Sequence, residues 1–95
     1  MSSYLIVNAS ITDPDKLDEY LLAVGPSLAG RDVKVLVSTN EATTLEGEPA
    51  GCRAVVLEFP DRAALLDWYH SDTYQAVIGL RFAGTAGFAI IADGR

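Results

Sequence analysis

The stretch "CRAVVLEFP", residues 52–60, decides how the chain is read. Its β-branched and apolar residues suit a strand, and Pro60 closes it by removing the next backbone donor. Alternate side chains of a strand face opposite ways. Cys52, Ala54, Val56 and Glu58 therefore share one face, and Arg53, Val55, Leu57 and Phe59 share the other. Neither set is polar as a whole. A sheet with helices on one face and water on the other should alternate apolar with polar residues. This strand does not, so both faces of its sheet are expected to be covered.

Working outward, "YLIVNASI" at residues 4–11 reads as a first strand. Leu5, Val7, Ala9 and Ile11 lie on one face, and Tyr4, Ile6, Asn8 and Ser10 on the other. "TDP" starts a helix, with Thr12 or Asp13 as N-cap and Pro14 in the first turn. Leu17, Tyr20, Leu21, Val24 and Leu28 recur at helical spacing, and Gly25-Pro26 predicts an early end or a kink. "VKVLVS" at 33–38 reads as a second strand, with a short segment "ATTLE" expected before the "GEPAG" turn at 47–51. After the third strand, Asp61 caps a helix with Leu65, Trp68 and Tyr69 on one side. Ser71 caps a further helical segment in which Tyr74, Val77, Ile78 and Arg81 share a face. "GFAIIAD" is the last strand, again apolar on both sides. The order predicts an α+β, ferredoxin-like βαββαβ split, with an antiparallel sheet carrying both helices on one face. A second copy of the chain is the economical cover for the other face, which makes a dimeric α+β barrel the expected assembly.

Ninety-five residues, 49% hydrophobic and 21% charged, suit a single domain over 1–95 with a real core. Thirteen acidic against seven basic side chains give a net charge of −6, which opposes binding to nucleic acid or anionic lipid. RNA-binding domains of the same topology need stacking aromatics and positive charge on the open sheet face. The single cysteine, Cys52, cannot form an internal disulfide and reads as inert packing in a reducing compartment. With no basic leader and no apolar run of membrane-spanning length, a cytoplasmic location is expected. One histidine and one cysteine cannot build a His/Cys metal cluster. No G-x-G-x-x-G or Walker pattern occurs, and "GTAG" at Gly84 is too short to count. Only His70 could serve a haem iron, with nothing else to support one. No cofactor is expected.

Four motifs together carry a family resemblance: "YLIVNASITDP" at 4–14, "RAVVLEFPD" at 53–61, "WYHSDTYQ" at 68–75 with Arg81 beyond it, and the closing Asp93-Gly94. The chain resembles the small bacterial family known as domain of unknown function 1330, within the dimeric α+β barrel superfamily. The most specific parts are "LEFP" and the pattern formed by Trp68, Tyr69, Ser71 and Tyr74. The resemblance implies a homodimer whose sheets face each other, with a cavity in each subunit between sheet and helices. The superfamily includes cofactor-independent monooxygenases, muconolactone-type isomerases, polyketide cyclases and haem enzymes. Around the second strand the family pattern has paired glycines and an arginine, where this chain has Ser38 and Asn40. An anionic ligand would lose that cation here. The family's usual tryptophan after "LEG" is also replaced, within "EPAG".

Glu58 is the sharpest catalytic candidate. It shares a face with Val56 and Ala54, where desolvation would fit it for general acid or base work; the alternative is a structural ion pair with Arg53, Arg81 or the partner subunit. His70 titrates in a useful range, and it also falls where a helix should end and would complement the dipole there. Trp68 and Tyr69 continue the apolar face from Leu65, as core or as pocket edge. Tyr74 and Arg81 face the same way two turns apart, to clamp a ligand oxygen or to hold the helix down. Asn8 faces the open side, to orient a ligand's carbonyl or hydroxyl or to bond within the dimer interface. These residues are expected to converge, with His70, Tyr74, Arg81 and Glu58 near one cavity mouth. Two function classes remain. One is a cofactor-independent isomerase, cyclase or monooxygenase-like enzyme acting on a small, largely apolar oxygenated molecule through Glu58 or His70. The other is a dimeric module that holds such a molecule, or only itself, without turnover. The density of ionisable groups expected at the cavity favours the first.

Overall fold

The computed structural model describes residues 1–95. Strand β1 (Ser3–Ile11) leads into helix α1 (Pro14–Leu28), then β2 (Lys34–Thr39) and β3 (Arg53–Phe59). Three short helices follow, α2 (Arg62–Tyr69), α3 (Asp72–Gln75) and α4 (Ile78–Gly84), and β4 (Thr85–Asp93) ends the fold. The sheet is antiparallel in the order β2-β3-β1-β4. With the helices on one face this is the ferredoxin-like arrangement that the element order predicts.

Capping sets the helix starts. Asp13 accepts from the backbone of Asp15 and Lys16, Asp61 from Ala64, and Ser71 from Tyr74. Pro26 falls in the final turn of α1, so its missing donor neither stops the helix before Leu28 nor disturbs its middle. At the other end of the helical layer, Gly84 lies so close to α1 that a Cβ there would meet the Leu17 nitrogen at 2.6 Å. The "GTAG" glycine is thus a packing contact between helices.

Strand register assigns the faces. Leu5 lies between Leu57 and Ile91, Val7 between Val55 and Ala89, and Ala9 between Arg53 and Gly87. These rows face the helices, where Leu5, Ala9, Leu57, Phe59, Leu65, Trp68 and Tyr74 form a buried core. Each large apolar side chain so enclosed contributes roughly 1.5–3 kcal/mol. On the open face one row runs across all four strands as Val37, Val56, Ile6 and Ile90.

Some expectations fail. "ATTLE" forms no strand, and Leu45 is 95% exposed. The only ladder-like bond there runs from the Ala42 N–H to the Cys52 carbonyl, 2.8 Å. Cys52 precedes β3 and is exposed, not packed. The helical segment after Ser71 is broken in two at Ala76 and Val77, where backbone bonds from Val77 to Tyr74 and from Leu80 to Val77 tighten the chain into i→i+3 turns. No helix is long and apolar enough to cross a membrane.

Candidate ligand-binding site

A cavity of about 280 Å³ lies between the helix-facing side of the sheet and the helices. Its floor is Leu5, Val7, Ala9, Val55 and Leu57, positioned by strand alternation. Helix α1 adds Leu17, Tyr20 and Val24 at helical spacing, and α2 to α4 add Trp68, Tyr69, Tyr74 and Arg81. Fifteen of its twenty lining residues are hydrophobic, so it suits a ligand with an apolar body. Its volume is just below the roughly 300–1,000 Å³ typical of drug-sized ligands.

Trp68 is the fixed wall. It is fully buried, its Nε1 donates to Ser27 Oγ at 3.1 Å, and its ring lies 4.1 Å from that of Tyr74 and 5.5 Å from that of Phe59. The polar groups are few and convergent. The hydroxyls of Tyr20 and Tyr74 lie 2.9 Å apart, reaching each other from α1 and α3. Burial pushes both phenols above the ordinary 10.0, and the positive charge of Arg81 acts against that shift on each. Both tyrosines therefore keep their protons at neutral pH; one hydroxyl donates to the other, and the accepting one keeps its own proton free to donate. Arg53, only 7% exposed, donates to Asn40 Oδ1 at 2.7 Å and to Ser38 Oγ at 3.4 Å. Burial pulls its guanidinium below the ordinary 12.5, though a group of that basicity stays charged. Arg81 Nε is buried with no hydrogen-bond partner, and its guanidinium carbon lies 5.1 Å from the centre of the Phe82 ring. The charges of Arg81 and Arg53 both act on Tyr20, which places the three groups in one electrostatic neighbourhood.

Of the residues singled out in the sequence, Trp68, Tyr69, Tyr74 and Arg81 come together around this cavity. Glu58 does not join them. It lies on the opposite sheet face, where Tyr4 Oη donates to it at 2.9 Å and Lys34 Nζ stands 3.9 Å away. The expected convergence of Glu58 with Arg81 is corrected by the register, and its ion-pair partner within the chain is Lys34, not either arginine. That exposed pair is worth about 0–1 kcal/mol. His70 is exposed outside the cavity, and its backbone N–H caps the end of α2 on Leu66 O at 2.9 Å. Asn8 is committed to the chain's own backbone. Its amide donates to Gly51 O and Arg53 O at 2.9 and 3.0 Å and accepts from Ala50 N at 2.8 Å. It clamps the turn before β3.

Two residues of the site were not singled out, Tyr20 and Arg53. Arg53 belongs to the alternation set of Val55, Leu57 and Phe59, a signal sufficient to send it inward. Ser38 and Asn40 accept from it. No three His, Cys, Asp or Glu side chains converge as a metal site would need.

The fold is shared with solved structures of low sequence identity. A protein of unknown function from Rhodopseudomonas palustris superimposes with a TM-score of 0.75 at 16% identity, covering 99% of this chain and 82% of that one. A dimeric ferredoxin-like protein of unknown function from Thermobifida fusca gives 0.66 at 13% identity, with coverage of 99% and 92%. SnoaB, a cofactor-independent oxygenase from Streptomyces nogalater, gives 0.64 at 8% identity, with coverage of 99% and 93%. No curated protein matches the chain in sequence. The family signature spans the strands and helices that build the cavity: with residues 2–95 matching its model, the chain belongs to the family described as Domain of unknown function (DUF1330).

Proposed function

We propose that the chain is a small-molecule-binding homodimer, in which the cavity of each subunit takes a small, largely apolar oxygenated molecule. The observation that carries this reading is the apolar cavity whose wall includes the hydrogen-bonded pair Tyr20 and Tyr74. Apolar walls with a few converging polar groups are the usual form of a ligand pocket. The homodimer is supported by the apolar row Val37, Val56, Ile6 and Ile90 across the open face, and by relatives of this fold described as dimeric.

The catalytic form of this reading is a cofactor-independent isomerase, cyclase or monooxygenase-like enzyme. What favours it is again the tyrosine pair. The phenol that accepts from its neighbour keeps its own proton and can donate it to a substrate oxygen as negative charge develops there. Its partner's hydrogen bond strengthens it as a donor, and such donors stabilise enolate-like transition states. Glu58 and His70 stand outside the cavity, so chemistry within it draws on the tyrosines and arginines. The likeness to a cofactor-independent oxygenase supports the fold's suitability for such work.

Titration with acetophenone, followed by NMR, tests the site. Resonances of Leu17, Tyr20, Trp68 and Tyr74 should shift, while those of Ile6, Val56 and Ile90 stay in place. Shifts confined to the open face would sink the assignment of the cavity. Sedimentation at micromolar concentration should give twice the chain mass, and a folded monomer there would remove the dimer from the proposal.

A further inference from the structure

We propose that the cavity's ligand is an organic anion, a small monocarboxylate whose charged head lies at Arg53 and Arg81 and whose apolar body fills the space beneath α1. The inference rests on the reading of this cavity as the ligand site, and adds the charge of what enters it.

The distribution of ion pairs points there. Lys16, Arg31, Lys34 and Arg62 each have a carboxylate within 4.0 Å. Arg53 and Arg81, the two basic residues of the cavity wall, have none, and of the remaining bases only the terminal Arg95 shares that condition. Acids are not scarce, since thirteen face seven bases in the whole chain. Arg53 is nine-tenths buried, and both of its side-chain acceptors are neutral oxygens. Those bonds fix the plane of the guanidinium without compensating its charge. Arg81 carries a buried Nε–H with no acceptor at all.

A buried charge without a counter-charge is costly, and an enclosed donor without an acceptor adds to that cost. Arg53 is such a charge, and the Nε–H of the half-buried Arg81 is such a donor; both are explained if the counter-charge arrives with the ligand. A carboxylate matches the guanidinium fork in shape and charge, and the tyrosine hydroxyl whose proton is not used within the pair can donate to its oxygens. A second copy of the chain cannot supply the anion from the open face, because the cavity lies on the other side of the sheet. The hydrophobic majority of the lining selects an acid with an apolar body over inorganic phosphate.

The test compares matched acids and alcohols at pH 7 by calorimetry and NMR: 3-phenylpropionate beside 3-phenylpropan-1-ol, and hexanoate beside hexan-1-ol, with inorganic phosphate as a further probe. The acid of at least one pair should bind tighter than its alcohol by about tenfold or more, as charge-assisted hydrogen bonds to a buried partner give. Arg81→Met and Arg53→Met should each erase that preference while raising the thermal midpoint of the ligand-free protein, since each removes an uncompensated charge. If alcohols bind as tightly as acids, the anion proposal is overturned and the cavity reading stands. If no acid or alcohol perturbs the cavity, both fall. Binding of phosphate in preference to the acids overturns the monocarboxylate. So does a lowered midpoint in both arginine variants, which makes the arginines structural. Should one variant fail to fold, the other carries the comparison.

Discussion

On the helix-covered face of the sheet, Leu5, Leu57 and Phe59 are 6%, 7% and 1% exposed; on the opposite face, Ile90, Phe88 and Val37 are 50%, 49% and 40% exposed. The strands are the same and the residue types are similar. What differs is the cover. The helices shield one face within the chain, and the other presents an apolar row that a lone chain would leave in water. Charge divides the faces in the opposite sense. The open face pairs its acid, Glu58, with Tyr4 and Lys34, whereas the covered face leaves the cations Arg53 and Arg81 without acids. The apolar need is met inside the subunit on one side, and the electrostatic need on the other.

The sharpest break in this comparison comes from the covered side. Trp68→Ala should cost roughly 3–5 kcal/mol, the usual range for an aromatic removed from a close-packed core. It also leaves Ser27 Oγ without its indole donor. Urea unfolding measures the loss, and a change below about 1 kcal/mol would mean the wall is slack. Next is a matched pair on adjacent residues of β3. Val55→Asp puts a carboxylate against the helices and should lower stability by about 2–5 kcal/mol. Val56→Asp puts it in the open row and should instead halve the sedimenting mass while the subunit stays folded. If Val55→Asp yields a folded monomer and Val56→Asp only unfolds the chain, the roles of the faces are reversed.

A smaller effect sharpens the same contrast through pH. Tyr20 and Tyr74 have folded values above the ordinary 10.0, so the unfolded chain releases protons at alkaline pH that the folded chain retains. Their contribution to stability is complete below about pH 10 and is lost as pH rises through the folded values. Phenolate absorbance from these two should appear together with unfolding, and its appearance in a still-folded protein would contradict their burial. The smallest change is expected on the open side. The hydrogen bond to Glu58 holds the Tyr4 phenol above 10.0, ahead of the smaller effects of desolvation and the carboxylate's charge. Glu58→Gln should therefore let Tyr4 titrate nearer that value with the fold intact, as ring NMR would show. An unmoved titration would mean that the Tyr4–Glu58 contact is not made in solution.

Much of the fold was legible because its signals are local. Period-two alternation in β1 and β3 marked the faces, and Asp13, Asp61 and Ser71 marked the helix starts. The failures have local causes as well. "ATTLE" has strand-like composition but no neighbour to pair with, and the break at Ala76 and Val77 uses i→i+3 bonds that helical periodicity does not register. The site was half legible. Trp68, Tyr69, Tyr74 and Arg81 come from consecutive helices whose apolar faces point one way. Tyr20 and Arg53 come from separate elements and meet only once the sheet has its register. Alternation puts Glu58 on the open face with Ala54 and Val56, as the register has it; its expected place at the cavity mouth fails because the cavity lies on the helix-facing side of the sheet.

The sheet order has a consequence for how the protein comes into being. β1 is made before the other three strands, yet it stands between β3 and β4, with Ser3 opposite both Phe59 and Asp93. Neither neighbour exists when β1 leaves the ribosome, and the second follows only after about ninety residues, roughly 4–18 s later at about 5–20 residues per second. Over that interval Leu5, Ile6 and Val7 form an apolar strand with at least one unpaired edge, the kind of segment that adheres to other nascent chains. Such distant pairings also slow folding itself. Loss of β4, by truncation or proteolysis, would return the chain to that condition permanently: β1 would become an edge, with the apolar row Leu5, Val7 and Ala9 on one face, and open to any strand it meets.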